Sequence, residues 1–203
     1  MKYQDNIEQV AELQPDYLGF IFYEKSARHF DSKNIPETPK SIKKTGVFVN
    51  EDIEFVLEKI KTYNLQAVQL HGEESPEYCL KLKFVASTTV EIIKVFSIKD
   101  EFNFDILKPY ENVCDYFLFD TKGKLPGGNG YTFDWNVLNN YPSTKPFFLS
   151  GGIGLNEVEK IKEFQQSKAS KYCYAIDVNS KFEIEPGLKN IELLKYFKEK
   201  LKE

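Results

Sequence analysis

Seven short apolar or β-branched runs recur along the chain, at residues 16–22, 45–50, 67–71, 91–96, 116–120, 147–150 and 174–178. Most are near-continuous rather than alternating, the pattern of strands covered on both faces. Between them lie segments of helical period. Ile53, Val56, Leu57 and Ile60 repeat at three and four, as do Leu188, Ile191, Leu194 and Leu201, with lysines and glutamates on the opposite side. Asn50-Glu51-Asp52, Ser75-Pro76-Glu77 and Leu155-Asn156-Glu157 carry helix-start signals, and Thr132 is placed to cap a helix from about Phe133. Pro36 and Pro39 make the second helical segment short or irregular.

Strands alternating with helices imply a parallel sheet with right-handed crossovers, either an open doubly wound sheet or a closed barrel. Residues 5–13 form a further helix ahead of the first run, so about eight helices accompany seven strands. A closed barrel therefore needs a strand before that helix, and the sequence has none there.

At 203 residues and 23.6 kDa, the chain fits a single domain over 1–203. Seventeen phenylalanines against one methionine imply a core filled largely by rings. A net charge of −4 without an evidently basic face argues against nucleic acid as a partner. No run nears the roughly 18 apolar residues of a membrane span. The N-terminus lacks the layout of a signal peptide. Cys79, Cys114 and Cys173 are scattered without metal spacing, which implies reduced thiols and a cytoplasmic setting. No cofactor and no metal is expected.

Chemistry-bearing residues gather where the strands end. Asp120 closes the fifth run and is followed by Gly127, Gly128 and Gly130. A carboxylate at the C-terminal tip of a buried strand, beside a glycine-rich loop, is where parallel α/β enzymes keep acids and cradle anions. Ser150-Gly151-Gly152-Ile153-Gly154, followed by a helix, can bring free N–H groups to a phosphate. The Asn179-Ser180-Lys181 loop would complete that cup. Arg28, the one arginine among 27 basic residues, offers a fork for a carboxylate or phosphate. His71, after the third run, either binds ligand or hydrogen-bonds the rim, and Asp177 ends the seventh run. Each of these also has a structural reading: a surface arginine, a rim histidine, an acid that caps a loop.

The residues nevertheless resemble one family across nearly the whole chain. Leu18-Gly-Phe-Ile-Phe-Tyr-Glu-Lys-Ser-Ala-Arg28, Gly46-Val-Phe-Val-Asn50, Ala67-Val-Gln-Leu-His-Gly-Glu73, Asp120-Thr121 with Gly127-Gly-Asn-Gly-Tyr-Thr-Phe-Asp-Trp135, Leu149-Ser-Gly-Gly152 and Ala175-Ile-Asp-Val178 fall in the order of phosphoribosylanthranilate isomerases of tryptophan biosynthesis. The resemblance implies a (β/α)8 TIM barrel, and hence a chain whose strand 1 is missing and whose single catalytic domain is truncated at the N-terminus. It implies the Amadori rearrangement of a phosphoribosyl aminoaldose, with Asp120 as general acid of raised pKa. Arg28 would grip the anthranilate carboxylate. Gly128, Gly152, Asn179 and Ser180 would hold phosphate, with His71 and Asp177 beside the substrate.

The family's general base is a cysteine in a Cys-Gly pair ending the first strand. None of the three cysteines here takes that place, so impaired turnover is expected. Lys181 stands where the family usually has glycine. A phosphorylated small molecule is the expected partner, with the protein a monomer or homodimer. A non-catalytic phosphate-binding barrel, or a related enzyme acting on another phosphorylated aminosugar, are the alternatives.

Overall fold

The computed structural model describes residues 1–99, 101–121 and 132–203. Helix α1 (Gln4–Glu12) is followed by strand β1 (Tyr17–Ile21) and then, without an intervening α-helix, by β2 (Lys43–Phe48). After these come α2 (Ile53–Tyr63), β3 (Ala67–Leu70), α3 (Pro76–Val85), β4 (Glu91–Ile98), β5 (Tyr116–Thr121) and β6 (Phe147–Leu149). The chain ends with α4 (Val158–Gln165), β7 (Cys173–Ile176), a hairpin of β8 (Glu183–Glu185) and β9 (Leu188–Lys189), and α5 (Ile191–Lys200).

Strands β1 to β7 form one wholly parallel sheet in sequence order. The sheet curls round a common interior. A cavity of about 50 Å³ is touched by Tyr17 and Gly19 of β1, Thr45 of β2, Gln69 of β3, Ile93 of β4, Leu118 of β5, Phe148 of β6 and Asp177 just beyond β7. Tyr17 and Tyr174, on the two outermost strands, bring their ring centroids to 6.4 Å. The sides of β1 and β7 that face each other pair with no strand among the described residues, although the Met1 nitrogen donates to the Gly19 carbonyl of β1 at 2.5 Å.

The burial pattern explains why the strands read as apolar runs. In β1, Leu18 and Phe20 are buried under the helices, while Tyr17, Gly19 and Ile21 face the interior and stay partly open. Nine of the twelve largest fully buried side chains are phenylalanines, so the ring-filled core is as expected. Edge-to-face contacts such as Phe20–Phe30 at 5.1 Å and Phe96–Phe117 at 5.3 Å lock them.

The helices depart from expectation more than the strands. Five are α-helical among the described residues, with short 3-10 turns in other crossovers. Phe104–Tyr110 is a 3-10 helix with Pro109 inside it, and Trp135–Asn140 is another. Thr132 does not cap the latter. Asp134 does, accepting from Asn136 N at 3.0 Å, while the Thr132 hydroxyl accepts from Lys160 Nζ. Leu188 belongs to the hairpin rather than to the last helix. Gly187, at φ +88°, makes the turn, and Asn190 caps α5 by accepting from Leu193 N at 3.0 Å. Ser75 is the cap it promised to be, with Pro76 behind it. No helix among the described residues is long and apolar enough to cross a membrane.

Candidate functional site

A cavity of about 570 Å³ opens at the C-terminal ends of the strands and extends into the space between β1 and β7. Arg28, His71, Asp120, Gly152, Asp177, Asn179 and Ser180 all line it. Gly127, Gly128 and Gly130 lie outside the described residues.

Asp120 sits on β5 beside Ser97 of β4 in the register, one residue before the end of the strand. Its Oδ1 accepts from Thr121 N at 2.8 Å, and its side chain keeps 16 % of its exposure, open to the cavity. The tip of β6 comes close because residue 151 is glycine. A Cβ there would meet Thr121 Oγ1 at 2.3 Å, Thr121 N at 2.4 Å and Asp120 Oδ1 at 2.8 Å, and the φ of +92° disfavours any side chain.

His71 places Nε2 3.5 Å from Asp120 Oδ2. Its Nδ1 lies 3.1 Å from the Gln69 amide nitrogen, which can only donate, so Nδ1 accepts and Nε2 carries the hydrogen that faces the acid. Asp177 follows β7 and accepts from Ser150 Oγ at 2.8 Å. Its carboxyl keeps some solvent contact through the cavity but is surrounded by protein. That burial, with the Asp120 charge nearby, pushes its pKa upward against the pull of the Ser150 hydrogen bond and of Lys189 and His71.

The glycine loop after β6 turns through Gly151 and Gly152, the latter at φ +69°. A short 3-10 turn (Leu155–Glu157) intervenes before α4, and the Glu157 carboxylate takes the Gly154 N–H at 2.7 Å. The Gly154 N–H is therefore occupied. The N–H groups of Gly152 and Ser180 form no hydrogen bond with described residues and both belong to the cavity wall. Lys181 packs its Cβ and Cγ toward Gly154, closing the cup from the other loop.

Arg28 is not a surface arginine. It is held by Glu183, which accepts from Nε at 2.9 and 3.0 Å and from Nη2 at 2.7 Å, with 19 % and 5 % of the two side chains exposed. Lys189 Nζ adds 2.9 Å to the same carboxylate and also donates to Asn179, while Gly187 N donates at 3.0 Å. Burial alone would raise the Glu183 carboxyl, but the Arg28 hydrogen bonds and the Lys189 charge outweigh it and hold it down to about 2.

Glu183 and Lys189 escaped notice in the sequence, where Leu188 counted as part of the last helical repeat. The signal available was the Pro186-Gly187 turn between short alternating flanks, a hairpin mark. None of the three cysteines lines the cavity: Cys79 and Cys114 are buried, and Cys173 starts β7 at its opposite end. No group of three or more His, Cys, Asp or Glu side chains comes together as a metal site among the described residues.

Ligand-facing acids, an imidazole and open amides at the C-terminal ends of parallel strands follow the plan of α/β small-molecule enzymes. Comparison narrows the class. The sequence profile of N-(5'phosphoribosyl)anthranilate (PRA) isomerase matches residues 1–200. The N-(5'-phosphoribosyl)anthranilate isomerase of Parabacteroides distasonis is 43 % identical over 202 residues, covering 97 % of this chain and 88 % of the relative. That of Phocaeicola vulgatus is 40 % identical, covering 100 % and 95 %. The crystal structure of the Thermotoga maritima phosphoribosyl anthranilate isomerase, 30 % identical, superposes with a TM-score of 0.80 over 100 % of this chain and 95 % of that one. Another solved isomerase, 27 % identical with a TM-score of 0.74 over the same shares, is in complex with reduced 1-(o-carboxyphenylamino)-1-deoxyribulose 5-phosphate. The chain belongs to the N-(5'-phosphoribosyl)anthranilate isomerase family.

Proposed function

We propose that this protein catalyses the isomerisation of N-(5-phosphoribosyl)anthranilate to 1-(2-carboxyphenylamino)-1-deoxyribulose 5-phosphate, a step of tryptophan biosynthesis. The observation that carries the reading is the placement of Asp120, at a strand tip and open to the cavity that Gly152 and Ser180 also line. Phosphate would sit on those amides with Asn179, and the anthranilate carboxylate would lie toward Arg28. Asp120 would then give its proton to the ribose ring oxygen, opening the ring to a Schiff base. A base would take the sugar C2 proton, and the resulting enamine would relax to the aminoketose. His71 and Asp177 would border the reacting atoms.

The base is the missing partner in this scheme, since no cysteine stands on the cavity wall. We assign it to an eighth strand filling the space between β1 and β7, which would complete a (β/α)8 barrel in one domain. The facing strand sides, the cavity spanning them and the Met1–Gly19 contact support that assignment. The same reading makes the enzyme cytoplasmic, in keeping with three free thiols, and a monomer or homodimer binding a phosphorylated small molecule without a cofactor.

The test is turnover of phosphoribosylanthranilate, followed by loss of its fluorescence. The 203-residue chain is expected to turn over slowly, and joining a strand ending in Cys-Gly ahead of residue 1 should raise the rate by about 10²–10⁴. A chain that neither turns over the substrate with that strand nor binds the reduced product analogue would refute the reading.

A further inference from the structure

A guanidinium has two usable edges, one formed by Nε and one Nη, the other by the two Nη groups. Glu183 takes the Nε and Nη2 edge of Arg28 in a side-on grip. The outer edge, with Nη1, forms no hydrogen bond with described residues, and Arg28 is part of the cavity wall. Glu183 is itself fixed from three directions, by Arg28, Lys189 Nζ and Gly187 N. It sits in the first strand of the β8–β9 hairpin, opposite Lys189 in register. The hairpin is in turn anchored to α1, where Asn6 exchanges two hydrogen bonds with the Lys189 backbone at 2.7 and 2.9 Å.

We infer that Glu183 is a positioning residue for substrate: it orients Arg28 so that the outer guanidinium edge is presented to the substrate carboxylate. An arginine on a loop has several rotatable bonds, and holding one edge in a buried ion pair removes the entropy that ligand binding would otherwise have to supply. The Glu183–Lys189 pair also ties this edge to the phosphate end, because Lys189 Nζ donates to the Asn179 carbonyl and amide oxygens. The hairpin thus sets the distance between the two anionic ends that can be gripped together.

The inference rests on the isomerase reading for the identity of the ligand, but not for the lock itself. Two measurements separate them. Calorimetric titration with reduced 1-(o-carboxyphenylamino)-1-deoxyribulose 5-phosphate compares the parent chain with Arg28→Ala, Glu183→Gln, Glu183→Asp and the double Arg28→Ala/Glu183→Gln variant. Each of Arg28→Ala and Glu183→Gln is expected to weaken binding about tenfold or more, as for loss of a charge-assisted hydrogen bond. The double variant should stay within about threefold of Arg28→Ala, because Glu183 acts through Arg28. Glu183→Asp should recover part of the affinity.

Binding by Glu183→Gln equal to that of the parent, or a loss that multiplies in full with Arg28→Ala, overturns the inference. The second measurement needs no ligand. The Arg28 Nε–H resonance in a side-chain-labelled sample is expected to be slow to exchange in the parent chain and lost in Glu183→Gln. An unchanged signal overturns the lock. If the chain binds no analogue even with a strand ending in Cys-Gly joined ahead of residue 1, while the Arg28 signal behaves as expected, the isomerase reading fails and the lock stands.

Discussion

Four carboxylates near the strand ends fall into two pairs that the protein treats in opposite ways. Glu74 and Glu183 are compensated on every side. Glu74 accepts from Asn50 N, Gly72 N and Lys94 Nζ, and Lys94 is itself wrapped by the carbonyls of Leu70, Gly72 and Val95, with 4 % and 1 % of the two side chains exposed. Glu183 has Arg28, Lys189 and Gly187. Among the described residues Asp120 and Asp177 have far less: one backbone N–H and a histidine at 3.5 Å for the first, one serine hydroxyl for the second. The lesson is one of division of labour. Carboxylates that hold loops in place are given cations, whereas the two that open to the cavity are given few partners among the described residues.

Substitutions can break that contrast. The largest effect is expected from Asp120→Asn, which removes the proposed general acid and should lower turnover by about 10²–10⁴ in the chain carrying the added Cys-Gly strand while leaving the melting temperature near that of its parent. Full activity in that variant would remove Asp120 from the mechanism. Lys94→Met should do the reverse. It strands a buried Glu74 charge and should destabilise the fold by about 3–5 kcal/mol in denaturant titrations. A stability change below about 1 kcal/mol would show that the pair is solvated on unfolded-like excursions rather than structural.

The smallest effect is on Asp177, and it has a pH signature. A carboxyl whose folded-state pKa lies above its unfolded value of about 3.9 costs nothing while both states are protonated. As pH rises past that unfolded value and through the raised folded value, ionisation in the buried site costs stability. Asp177→Asn should therefore melt like the parent at low pH and slightly above it near neutrality, while binding the product analogue less well. A melting advantage that does not change with pH would contradict the origin assigned to the shift.

Much of this arrangement was legible in the sequence. The seven strands were, because each is covered by helices on its outer face and packs an apolar row such as Leu18 and Phe20 there. Site residues at the strand ends were also legible, since direction along a parallel sheet puts Asp120, Gly152 and Asp177 at one rim. The crossovers were legible only in part: Pro36 and Pro39 marked the segment after β1 as irregular, but Pro109 lies in a 3-10 helix whose ends periodicity does not mark. Glu183 and Lys189 were hidden for another reason. Their partners Arg28 and Asn6 lie 155 and 183 residues away, and no local pattern carries such a pairing.

Strands that pair strictly with their sequence neighbours have a consequence for how the molecule assembles. Each new strand can add to the one synthesised just before it, so the sheet can grow in step with translation while loop closure stays short-range. The contacts of the β8–β9 hairpin with Asn6 and Arg28 can form only once residues 183–189 of the 203 have emerged. The hairpin therefore acts as a buckle, and in a nascent chain Arg28 waits for its Glu183 partner until synthesis is nearly finished.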